Sequence, residues 1–212
     1  MIPIMDGDFL ESQPPLPPAL RAVGWFAAVC ALGAFLVATS PRAPLAGAGG
    51  AELVAAAAAA LTAILAAIAA FQMSVQDGRG WMLLPALSLA VWIGALVFGC
   101  FASSSVPGAW GTAPGEALQC LAFLLGVSLP LAGLLLAMLW GYQPARGVAF
   151  AAAGLAAAAA AGGLLNLVHP HASSLLDLGM HLLAAAAAVA LCVQAGSWTR
   201  VRGAAGTASS SK

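Results

Sequence analysis

Charge is what this chain has least of. Seven basic and seven acidic residues stand among 212, against a 62% hydrophobic content. A soluble domain carries about a quarter charged residues, so a surface this apolar could not be solvated. The formal net charge is zero; with no basic field for phosphates, no direct nucleic-acid binding is expected. Cys-x-x-Cys and His-Glu-x-x-His spacings are both missing, which removes the short signatures of redox pairs and zinc hydrolases. No charged n-region with a small-residue cleavage site precedes the first apolar run, so that run is expected to remain as a span.

What the chain has instead is apolar length. Six runs, 19–38, 53–71, 81–101, 117–140, 147–168 and 173–196, are each near the ~20 residues that cross hydrocarbon. Only helices and closed barrels satisfy their backbone in lipid, so the expected fold is an all-α integral membrane protein, a six-transmembrane-helix bundle. Residues 1–18, acidic and then proline-rich, read as a short disordered cytoplasmic segment. Residues 19–196 form the membrane domain, and 197–212 a cytoplasmic polar tail. Alanine inserts only marginally but lets helices approach closely, so the alanine runs at 55–60 and 156–161 are expected inside the bundle. Pro114 and Glu116 mark a helix start, and Pro130 a kink. Trp92, Trp110, Trp140 and Trp198 read as packing or interface anchors.

Basic residues set the orientation. With a cytoplasmic amino terminus, Arg21, Arg79, Arg146, Arg200, Arg202 and Lys212 all fall inside and only Arg42 outside, which is the bias expected of a membrane protein. Both termini are then cytoplasmic, and the loops after spans one, three and five face out.

That outer face collects the unusual chemistry. All three histidines lie between 169 and 181: His169 and His171 flank Pro170 in a helix break, and Asp177 precedes His181 by four residues, one helical turn. A carboxylate and an imidazole within a span are costly and are usually functional or paired. Cys100 closes span three and Cys120 opens span four. Thiols and imidazoles together favour a thiophilic ion such as zinc, copper or cadmium. The candidate metal or sensor residues are therefore Cys100, Cys120, His169, His171, Asp177 and His181. A Cys100–Cys120 disulfide between antiparallel neighbours is the structural alternative. Cys30 and Cys192 read as small buried hydrophobes, and Glu116 as a helix-start residue.

Gly99-Cys100 ending span three, Gln119-Cys120 opening span four, and His169-Pro170-His171-x-Ser-Ser-Leu with His181 resemble the negative regulator of sigma-F family. The likeness runs over roughly residues 19–196. It implies a bacterial inner-membrane anti-sigma factor that holds an extracytoplasmic-function sigma factor inactive. It further implies a response to heavy-metal or oxidative stress at Cys100 and Cys120, with His169, His171 and His181 alongside. His169 stands where many relatives carry cysteine, which weakens a simple disulfide switch between Cys120 and the last loop and leaves a mixed Cys/His metal site open.

The expected function is thus transcription regulation, with the sigma factor and the lipid bilayer as partners. No enzymatic activity and no resident cofactor are expected. The rival is a membrane transporter or thiol oxidoreductase working through the same Cys/His cluster.

Overall fold

The computed structural model describes residues 16–40, 50–75, 79–104, 114–139, 147–168 and 175–209, all of them helical or at helix edges. Six α-helices follow in order: α1 (Pro18–Thr39), α2 (Gly50–Val75), α3 (Leu83–Ser104), α4 (Pro114–Leu139), α5 (Gly147–Val168) and α6 (Leu175–Ser209). A single 3-10 turn, Arg79–Met82, leads into α3. Each helix contains a segment long and apolar enough to cross a membrane.

Local chemistry sets several boundaries. Pro18 opens α1, where its missing N–H costs nothing. At the other end of α1 the Ser40 N–H donates to the Leu36 carbonyl, and the Thr39 hydroxyl donates to the Phe35 carbonyl at 2.9 Å. Glu52 and Glu116 sit in the first turns of α2 and α4, where a carboxylate meets the positive helix end. Pro130 lies within α4, and the helix runs through it.

Helix α5 is the axis. It is built from alanine, glycine and leucine, and 83% of its apolar window is buried. Helices α2, α6 and α4 pack directly on it, and α1 covers part of it from between α2 and α4. Helix α3 packs on α2 and touches α6 lightly. The alanine-rich α2 is the next most buried span; the run 156–161 lies wholly inside the bundle as expected, whereas the run 55–60 is buried on one side only, with Ala57 and Ala60 exposed.

Small residues allow this closeness. A Cβ at Gly154 would lie 2.6 Å from the Val189 Cα, so α5 and α6 meet backbone to backbone there. Outward, α1, α3, α4 and α6 present Leu20, Phe35, Leu87, Phe98, Leu118 and Leu183, each more than half exposed. Such a girdle is untenable in water and natural against lipid tails.

Arg21 is no solvated flanking charge. It is 4% exposed, donating from Nε to the Leu16 carbonyl at 3.1 Å and from Nη1 to the Met138 carbonyl at 3.3 Å. Its guanidinium lies 5.1 Å from the Phe71 ring centroid. One side chain therefore joins the start of α1 to the last turns of α2 and α4. The Met138 carbonyl belongs to the negative end of α4, where a cation is favoured. Deeper in, the fully buried Trp25 indole donates to the Leu131 carbonyl at 3.1 Å.

Candidate functional site at one end of the bundle

The start of α1 lies beside the ends of α2 and α4, and Gly196 of α6 packs on Phe150 near the start of α5. The start of α1 and the carboxyl-terminal part of α6 thus share one end of the bundle. The polar chemistry gathers at the opposite end, in a cavity of about 30 Å³ between α2, α3, α5 and α6.

The cavity follows from how α3 is held. Helix α3 leans on α2 and stands off from α5. Deep in the bundle the Trp92 indole fills that gap and meets Gly162, where even a Cβ would come within 2.8 Å of its Cζ2. Over the next two turns α3 offers Ala95, Gly99 and Cys100, small side chains that with Leu96 line the cavity. The remaining walls carry Glu52 and Ala55 from α2, Asn166 from α5, and Leu178 and His181 from α6. A carboxyl, a thiol, a carboxamide and an imidazole line one void. A void needs ~10–15 Å³ to hold one water, so this one suits a water or two, or a single bare ion.

His181 is buried, at 8% exposure, and its Cδ2, like the Trp92 ring, lies within 4 Å of the Cβ position on Gly162. Cys100 is equally buried. The Trp92 Nε1–H has no hydrogen-bond acceptor among the described residues, and neither does the Ser128 hydroxyl have a partner there.

Of the residues expected from sequence, Cys100 and His181 come together at this cavity. Cys120 lies at a similar depth but in a different cluster, packed with Leu124, Ala161, Leu165 and Ala184 between α4, α5 and α6. Asp177 lies in the first turn of α6, four residues before His181. His169 and His171 lie outside the described residues. Cys100 and Cys120 are not joined in a disulfide. Helices α3 and α4, consecutive in the chain, share no packed interface among the described residues, so the neighbour relation that such a bridge needs is not present. Cys192 is buried as expected, whereas Cys30 is exposed on the lipid-facing side of α1. Among the described residues, no three His, Cys, Asp or Glu side chains lie close enough to hold one ion together.

Glu52 and Asn166 are additions that sequence reasoning did not place at the site. Asn166 was legible only as a polar residue near the end of span five. Glu52 falls just before an apolar run and reads as loop. The helix-start logic that identifies Glu116 applies to it equally and would have set it inside α2.

The fold defines the class: an all-helical bundle with six helices able to cross a membrane, hence a multi-pass membrane protein. Comparison with protein-family models, with curated proteins and with solved structures gave no match.

Proposed function

We propose that this protein is an anti-sigma factor of a bacterial inner membrane, with both termini in the cytoplasm, that releases an extracytoplasmic-function sigma factor on a periplasmic signal. The reading joins the resemblance to the negative regulator of sigma-F family with the charge bias of the loops. One observation carries it: the cavity lined by Cys100, His181, Glu52 and Asn166 lies at one end of the bundle, and the helix ends that lead to both termini lie at the other.

The physics of such a relay is simple to state. A chemical event at Cys100 and His181 changes how α3 and α6 pack on α2 and α5. A signal shifts the bundle only by its differential affinity for two packings; moving from 1:99 to 99:1 takes about 5.5 kcal/mol. At the far end Arg21 ties the chain at Leu16 to α4, so a shift of α4 is felt where the amino-terminal segment begins.

The test is a reporter driven by the partner sigma factor, with capture of that factor by the full-length protein in detergent. Deleting the protein, or replacing His181 by Ala, is expected to raise reporter output, and the intact protein to retain the sigma factor. An unchanged reporter in both strains ends the proposal.

A further inference from the structure

We propose that the lipid-facing line of α4 is the surface through which two copies of this chain pair side by side in the membrane. The line runs Gln119, Ala122, Gly126, Pro130, Gly133 and Ala137, spaced three or four residues apart and all exposed. The proposal stands apart from the sensor reading, and its test needs no sigma factor.

Composition singles this line out. The exposed side of α3 carries Leu83, Leu87 and Phe98, and that of α6 Leu183 and Leu191, bulky side chains that suit lipid tails. On α4 the large exposed residues Leu118, Leu129 and Leu134 stand to either side, and the line between them is a shallow groove. A Cβ added at Gly126 or Gly133 would meet nothing within 4 Å, so neither glycine serves packing within the chain. Gly94 of α3 is equally open, but the exposed Val91 and Phe98 flank it one turn away on its own line. Small residues let helix backbones approach closely, which is how spans associate where lipid offers no hydrophobic drive.

Two polar groups on the same line call for a partner that lipid cannot supply. Pro130 has no N–H, so the Gly126 carbonyl one turn before it lacks its intrahelical donor. In hydrocarbon an unsatisfied backbone group is costly. Gln119 brings a carboxamide one turn inside the span that begins at Gly115, where an exposed amide meets the same cost. A second copy answers both. Two copies inserted in the same orientation set α4 parallel to α4 about a two-fold axis, so each residue on the line faces its own counterpart. A carboxamide both donates and accepts, so the two Gln119 side chains satisfy each other. Close approach at Gly126 brings Cα–H groups of the facing helix to the freed carbonyl, a weak bond that recurs at helix–helix contacts. A partner of other sequence would need both complements at this spacing; a second copy carries them already.

The experiment places the full-length protein, labelled at its carboxyl terminus, in liposomes at falling protein-to-lipid ratios and counts subunits per particle by single-molecule photobleaching. Dimers are expected that dissociate on dilution. Gly126→Leu fills the groove without touching the rest of the chain and should weaken pairing by about tenfold or more. Gln119→Leu should weaken it by about three- to tenfold, the range of hydrogen bonds between membrane helices. Gly94→Leu, on the open glycine of α3, should leave it within about twofold. In native membranes Gly133→Cys should give an oxidative cross-link between copies beyond the parent's background, and Leu87→Cys should not. A parent that stays monomeric at every ratio leaves lipid or a different protein on this face and overturns the proposal. So does a Gly126→Leu protein that pairs like the parent, or a Gly94→Leu protein as weakened as Gly126→Leu. The Gly133→Cys cross-link reads the paired α4 directly, so the decision does not hang on how well the leucine variant folds.

Discussion

Gly154→Ala is expected to destabilise the bundle, although alanine is the better helix former. An added methyl would sit 2.6 Å from the Val189 Cα and 2.8 Å from the Ala188 carbonyl oxygen. Carbon atoms rest at about 3.5–4.0 Å, so α6 must retreat by roughly 1 Å at this crossing. Both clashing groups are backbone, and no side-chain rotation relieves them. A gap of that size forfeits about a quarter to a half of each neighbouring dispersion contact. Overpacking of this kind costs about 1–3 kcal/mol, more than the ~1 kcal/mol that alanine returns in helix propensity. The control is Gly94→Ala in α3, where nothing lies within 4 Å of the new Cβ; this variant should be unchanged or up to ~1 kcal/mol more stable. Reversible unfolding of both variants in mixed detergent micelles, followed by far-UV circular dichroism, reads the difference. A Gly154→Ala protein as stable as the parent would refute the claim that α5 and α6 are held together by backbone contact.

The remaining predictions concern the other buried contacts. Arg21→Met keeps the stem but removes the hydrogen bonds to the Leu16 and Met138 carbonyls; it should cost roughly 2–3 kcal/mol and let a protease cut before Pro18 sooner. Trp25→Phe loses only the bond to the Leu131 carbonyl, and such bonds within membrane bundles are worth about 0.6 kcal/mol on average; unfolding should detect a loss of 1 kcal/mol or less. Gly162→Ala pushes on the Trp92 ring edge, which can yield. It should cost less stability than Gly154→Ala in the same unfolding assay.

The span count, the all-helical class and the burial of the alanine-rich α5 were legible in the sequence because each is a statement about one segment. Length and hydropathy decide whether a helix crosses lipid, and alanine tracts such as 156–161 have too little side chain to face it. Which residues share a void is a statement about several segments at once. In a soluble bundle the apolar stripe of each helix points to its neighbours, but lipid tails are as apolar as a bundle interior. The spans therefore carry little amphipathic signal, and the order of helices around α5 could not be read from them. That order alone put Cys100 with Glu52, Asn166 and His181, set Cys120 on the far side of α5 and α6, and turned Cys30 towards lipid. It also turned Arg21 from an orientation marker into a buried tie between α1 and α4. Chain-local chemistry told how many helices there would be; only their mutual packing, fixed by glycine and alanine contacts too small to leave a periodic trace, decided which side chains meet.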